Sequence, residues 1–305
     1  MNPYRDLPFW TKFEESLTRR PLMRASAVKF HQQRKKYHHW RQRRQDRRAP
    51  ADLRNFERKI HSQFGEDGII AEIFQRIGEG TRYAVEFGIE DGSECNTRYL
   101  FEHRGWFGLL IDGSADHVAM AQARYADRPV RILERFLTVE NILDIFTEAS
   151  VPVEPDLLSI DVDGNDYWLW EKLLLAYRPR VVVIEYNGRW IPPVCWVMPY
   201  NPEHCWDGSV YFCASLEALA RLGAAHDYQL VGCSMAGGNA FFVRRDQLGD
   251  RFPSAERGPR YHYSAPLYAR GFGHPIRPEA PRFPRPSQQG QGSVAGPPHQ
   301  DRELT

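Results

Sequence analysis

Val85-Glu-Phe-Gly-Ile-Glu-Asp-Gly92 decides the fold. An apolar run from Tyr83 to Phe87 leads into it and reads as a strand; Gly88 and Gly92 then let the chain turn before a helix predicted over Ser93 to His103. The spacing Glu86-x-Gly88-x-x-x-Gly92 differs from Gly-x-Gly-x-x-Gly, and no lysine follows as in a phosphate-binding P-loop, so a dinucleotide enzyme or a phosphotransferase is disfavoured.

Outward from this segment the chain alternates between two periodicities. Upstream, Ile60 to Ile77 has apolar residues at helical spacing and is broken by Gly78-Glu-Gly80. Downstream, strands are predicted at Phe107 to Ile111, Val130 to Leu133, Leu157 to Ile160 and Arg180 to Ile184. Helices are predicted between them at Ser114 to Tyr125, Val139 to Ala149 and Asp166 to Leu175. This order predicts an α/β fold: a Rossmann-like, mostly parallel sheet with helices on both faces and ligands beyond the C-terminal strand ends. A helix at Ser215 to Leu222 precedes strands Tyr228 to Cys233 and Asn239 to Val243, whose linker Ser234-Met-Ala-Gly-Gly238 suits a C-terminal antiparallel hairpin. Residues 187–213, rich in proline and aromatic side chains, read as an insertion over the ligand edge.

The 305 residues are 42% hydrophobic, enough to bury a core, and the net charge of +1 conceals a strong asymmetry. Residues 1–57 form a basic N-terminal arm, predicted to be largely helical and solvated or engaged in homo-oligomer contacts; it has no base-reading motif, so nucleic acid is not the expected partner. Residues 58–245 form the catalytic-type domain, and residues 246–305 an irregular, partly disordered tail rich in proline, glycine and glutamine. The five cysteines lack Cys-x-x-Cys spacing, which argues against a disulfide framework or a structural zinc module. No secretion segment or membrane-length apolar run is present, so a cytoplasmic location and no transmembrane partner are expected.

Candidate site residues cluster at the predicted strand ends. Gly88 and Gly92 allow close approach of a small-molecule cofactor, while Glu86 and Glu90 can accept hydrogen bonds from it; Glu90 and Asp91 can equally cap the next helix. Asp112, ending the second strand, can receive ribose hydroxyls. Asp161 and Asp163, within Ser159-Ile-Asp-Val-Asp-Gly-Asn-Asp166, are expensive to crowd together unless a cation, water or donors compensate them. With Glu185 they are candidates for proton acceptance, substrate orientation or Mg2+ binding. Asn165, Asn187 and Trp190 are candidate substrate contacts, although Asn165 can also cap a helix and the aromatic residues of the insertion can simply pack.

Ser62-Gln-Phe-Gly-Glu-Asp67, Val85 to Gly92, Gly108-Leu-Leu-Ile-Asp112, Ser159 to Asp166 and Val183-Ile-Glu-Tyr-Asn187, taken in order, resemble the FkbM-like family of S-adenosylmethionine (SAM)-dependent methyltransferases over about residues 58–245. The resemblance implies a class I methyltransferase fold and methyl transfer to a small molecule, commonly at oxygen. It implies that the Glu86–Gly92 loop contacts the methionine portion of SAM, Asp112 its ribose, and that Ser62–Asp67 lies over or beside that site. In that family the second strand often ends in a Glu-Pro-like pair; Asp112-Gly113 keeps the acid. Two other function classes remain in play: a nicotinamide-dependent oxidoreductase, and a noncatalytic methyltransferase-like protein that recruits an anionic partner.

Overall fold

The computed structural model describes residues 52–209 and 211–264. The basic run within residues 17–48, its expected oligomer contact and the tail from 265 onward lie outside these residues.

The elements run α1 (Glu66–Ile77), β1 (Tyr83–Phe87), α2 (Arg98–His103), β2 (Phe107–Asp112), α3 (Ala115–Arg124), β3 (Val130–Glu134), α4 (Ile142–Glu148), β4 (Leu157–Ile160), α5 (Asp166–Leu173), β5 (Val181–Glu185), α6 (Leu216–Ala225), β6 (Tyr228–Cys233), β7 (Asn239–Arg244), α7 (Arg245–Leu248) and α8 (Gly258–His262). Seven strands form one sheet in the order β3-β2-β1-β4-β5-β7-β6. β1 pairs in parallel with β2 and β4, so that Val85 faces Leu109 on one side and Leu158 on the other. β7 runs antiparallel between β5 and β6.

Strand periodicity divides the core into two layers. On one face Val85, Phe87, Leu109, Ile111, Leu158 and Ile184 pack with Ile142 and Phe146 of α4, Leu169 and Trp170 of α5, and Leu216 and Leu219 of α6. On the other, Ala84, Leu110, Leu157 and Val183 pack with Ile69 and Ile73 of α1, Phe101 of α2 and Ala121 of α3. Side chains of successive strand residues point to opposite faces, so each central strand feeds both layers and must be apolar throughout. This is a Rossmann-like α/β fold, with a mostly parallel sheet and flanking helices.

One sequence expectation shifts. The helix predicted from Ile60 begins at Glu66, because the Asp67 carboxylate gathers the backbone N–H groups of Ile60, His61 and Ser62 at 2.8–2.9 Å and holds them as a loop. The hairpin forms as expected, with its second strand inside: all six residues of β7 are buried, and β6 becomes the sheet edge. A 3-10 turn, Leu53–Phe56, packs the fully buried Leu53 against Gly232 of β6, and the Tyr186 hydroxyl donates to the Ser264 carbonyl at 2.8 Å, so residues on both sides of 58–245 join the core. The antiparallel β7 also separates this sheet from the dinucleotide-binding order 3-2-1-4-5-6. No helix among the described residues is long and apolar enough to cross a membrane.

Candidate active site

The C-terminal ends of β1, β2, β4 and β5 bring the predicted residues to one edge of the sheet. Gly88, directly after β1, has φ +75°, and a Cβ there would lie 1.4 Å from the Asp161 carbonyl oxygen. Only glycine lets the β1 turn nest against the end of β4. Its N–H donates to the Ile111 carbonyl at 3.0 Å, tying the turn to β2 as well.

Glu86 differs from its expected role. Its Oε1 accepts from the Asn96 N–H at 2.8 Å and the Ser159 hydroxyl at 3.3 Å, and its Oε2 from the N–H and hydroxyl of Thr97. A carboxylate offers about four lone-pair sites, and all are occupied within the protein. Glu86 therefore fastens the start of α2 to the sheet. Burial pushes its pKa up, against the lowering effect of these donors. The same contacts explain why α2 begins at Arg98 and not at Ser93: Asn96 and Thr97 turn their N–H groups onto Glu86.

Asp112 ends β2 with both oxygens near the glycine loop. Oδ2 accepts from the Glu90 N–H and Oδ1 from the Ser114 N–H, each at 2.9 Å, while half-buried His117 stands 3.4 Å from Oδ1. Glu90 is exposed and has φ +48°, so what it gives the site here is its backbone N–H to Asp112. Gly92 closes the loop, its carbonyl accepting from the Tyr125 hydroxyl at 2.9 Å.

Asp161, Asp163 and Glu185 meet at the ends of β4 and β5, each partly buried, with one oxygen from each within 4.8 Å of the others. Burial is the largest effect on all three and raises each pKa. Glu185 and then Asp163 add to it at Asp161, and Asp163 and then Asp166 add to it at Glu185. Asp163 is pushed up to about 7 by burial, then by Asp166 and Glu90. Asp163 also has φ +55°, a conformation uncommon for residues other than glycine, though aspartate enters it more readily than most. Its carbonyl lies 3.1 Å from His204 Nε2. His204 covers Gly164, where a Cβ would sit 2.2 Å from the imidazole Cδ2.

Cys213 had no place in the sequence reading. Its buried thiol lies 3.0 Å from Glu185 Oε2 and 3.1 Å from Asp166 Oδ2. One thiol proton serves one carboxylate at a time, so the other oxygen faces sulfur lone pairs unless it carries its own proton. Asp166 is otherwise well provided, accepting from the Val162 and Gly164 N–H groups at 2.9 and 2.8 Å, which leaves Glu185 as the less supported partner. No sequence pattern connects position 213 with 166 or 185; the contact depends on how the insertion folds back.

Two expected substrate contacts are engaged inside the protein instead. Asn165 donates to the Asn201 carbonyl at 2.7 Å and accepts from the Asn201 N–H, pinning the insertion to the β4–α5 turn. Asn187 is fully buried, donating to the Phe212 carbonyl at 3.0 Å and accepting from the Arg189 N–H. Both amides brace the insertion against the sheet edge. Trp190 is partly buried with its ring centroid 5.3 Å from that of Trp196, which packs in turn on Tyr211 at 5.5 Å.

No protein-family model and no curated protein matches this chain. Among solved structures it is similar to an O-methyltransferase from Bacillus cereus in complex with SAH, at 20% identity and TM-score 0.41, covering 62% of this chain and 83% of that one. It is also similar to a SAM-dependent methyltransferase from Clostridium acetobutylicum, at 9% identity and TM-score 0.39, covering 60% and 92%. A third similarity is to a putative O-methyltransferase from Klebsiella pneumoniae, at 17% identity and TM-score 0.38, covering 59% and 79%. The resemblance to the FkbM-like family is corrected: no family model matches, and the likenesses found are to solved structures of other methyltransferases. The motifs that suggested the family are strand-end and turn chemistry, which this sheet requires for its own packing at Gly88 and Glu86.

Proposed function

We propose that this chain is a SAM-dependent methyltransferase acting on a hydroxyl oxygen of a small polar or sugar-containing molecule. The observation that carries the reading is the convergence, at one sheet edge, of the Gly88 turn, the β2-terminal Asp112 and the Asp161–Asp163–Glu185 trio. The donor set suits the cofactor. Glu90 and Ser114 each take one lone pair of Asp112, so its carboxylate retains acceptor capacity at the mouth for the two hydroxyls of a ribose. The ionised fraction of the trio, carried by Asp163, favours a cationic ligand nearby, and a sulfonium is one.

SAM, when bound, supplies a methyl group made electrophilic by its sulfonium; the protein's task is then to align an acceptor oxygen and manage its proton. Asp163 is suited to accept that proton, since a base with a pKa of about 7 is ionised in an appreciable fraction near neutrality while retaining proton affinity. Asp161 and Glu185, held toward their protonated forms by burial, can donate hydrogen bonds to a polyhydroxyl acceptor. The insertion, braced by Asn165 and Asn187, shields this edge from water. A second reading rests on the spacing of the trio: three carboxylate oxygens this close can share Mg2+, a hard cation that selects oxygen ligands.

Isothermal titration with SAM on the wild type and Asp112→Ala tests the first step. The expected result is wild-type binding weakened about 10–100-fold by the substitution, the equivalent of losing one or two hydrogen bonds to a charged group. Absence of binding by the folded wild type would overturn the proposal. An acceptor screen with and without Mg2+ then separates a metal-free Asp163 base from a metal-held hydroxyl.

A further inference from the structure

A second cluster, apart from the carboxylate edge, has a different ligand chemistry. His61 Nε2, His103 Nε2 and Glu102 Oε2 converge: the two imidazole nitrogens are 3.1 Å apart, and the carboxylate oxygen lies 3.4 Å from His61 and 3.8 Å from His103. We propose that His61, Glu102 and His103 form a Zn2+ site that fastens the loop before α1 to helix α2.

The donor spacing matches a coordination shell, and the two near-parallel imidazoles, 4° apart in plane, need only turn for their Nε2 atoms to converge on an ion. Zn2+ with bonds of about 2.0–2.1 Å in a tetrahedron places its ligands about 3.3–3.4 Å apart, and the three observed separations fall within about 0.5 Å of that edge. At 3.1 Å two imidazole nitrogens share one proton, since both cannot present lone pairs to each other. A metal ion between them takes that proton's place; the ring that held it at Nε2 keeps it at Nδ1, and both Nε2 atoms become ligands.

The surroundings fix the ligands beforehand. His61 lies in the loop whose N–H groups are collected by Asp67, so its backbone is held. Arg98 donates to Glu102 Oε1 at 2.7 Å, which turns the other oxygen toward the histidines, in the manner of an outer-shell partner orienting a metal-binding carboxylate. His103 is about half exposed, leaving an approach for the ion and for water at a fourth position. Two imidazoles with one carboxylate select Zn2+ or a similar transition ion, whereas the all-oxygen trio at the sheet edge selects Mg2+. Bound Zn2+ joins residues 42 positions apart and braces α2, the helix whose first turn Glu86 holds against β1.

The test titrates the full chain with Co2+, followed by its visible absorption, and with Zn2+ by competition. Wild type is expected to bind one equivalent in a tetrahedral nitrogen and oxygen environment. His103→Ala and, separately, His61→Ala are expected to weaken that binding by about 100-fold or more, since losing a direct ligand costs more than the 10–100-fold of losing an outer-shell partner. His38 and His39 lie in the basic arm, so a His38→Ala/His39→Ala variant is the control and should retain the equivalent. Asp163→Asn should retain it too, separating this site from the proposed active edge. A tetrahedral equivalent that survives in the His61→Ala/His103→Ala double variant, or no equivalent in wild type, would overturn the proposal.

Discussion

Glu86 and the Asp161–Asp163–Glu185 trio are carboxylates on neighbouring strands of one sheet edge, and they are treated oppositely. Glu86 receives four hydrogen bonds, all from the protein, which oppose the effect of its burial without cancelling it. The trio is crowded, partly buried and under-provided: a shared Cys213 thiol is the donor that reaches Glu185. A buried charge with its donors in place is architecture, whereas one without them costs stability and is retained where chemistry needs it. Hydrogen-bond satisfaction, more than burial or residue type, separates the two.

The sharpest attempt to break this comparison is Glu86→Ala. Removing the carboxylate strands the Asn96 and Thr97 donors and opens the start of α2, so denaturant unfolding should show a loss of about 3–5 kcal/mol. A loss under about 1 kcal/mol would mean that Glu86 is not the anchor its contacts indicate. The next largest effect belongs to the trio. Asp163→Asn should lower methyl transfer about 100-fold or more with SAM binding little changed, as expected for loss of a general base.

The two regions also differ with pH. With its pKa at about 7, Asp163 is mostly protonated below that value, so the wild-type rate should rise as pH increases through about 7, and Asp163→Asn should flatten the rise. Stability runs the other way. A carboxylate raised from 3.8 to about 7 on folding binds its proton more tightly in the native state, so its contribution to stability is full below about 3.8 and is lost as pH rises toward 7. Asp163→Asn should therefore be more stable than wild type above pH 7, by about 1–2 kcal/mol once partial exposure is allowed for. Equal melting temperatures at pH 8 would show that the trio carries no such strain. The smallest expected effect is at Cys213→Ser, which keeps a single-proton donor beside Glu185 and should change the rate by less than about tenfold.

The sequence alone determined the α/β alternation, because the period of apolar residues is a local signal: Tyr83–Phe87, Leu157–Ile160 and Tyr228–Cys233 are strands with the bounds their residues predict. It also placed Asp112, Asp161, Asp163 and Glu185 at strand ends, since a ligand edge follows from strand direction once the sheet is parallel. Tertiary structure decided what each carboxylate and amide does there. Whether Glu86 is saturated, whether Asn165 and Asn187 are open, and whether Cys213 reaches Glu185 depends on donors 10 to 73 positions away, and such pairings leave no local periodicity. The order of β6 and β7 was likewise hidden, because either strand of a hairpin can take the inner position, and the six buried residues of β7 settle it only once the opposing layers are in place.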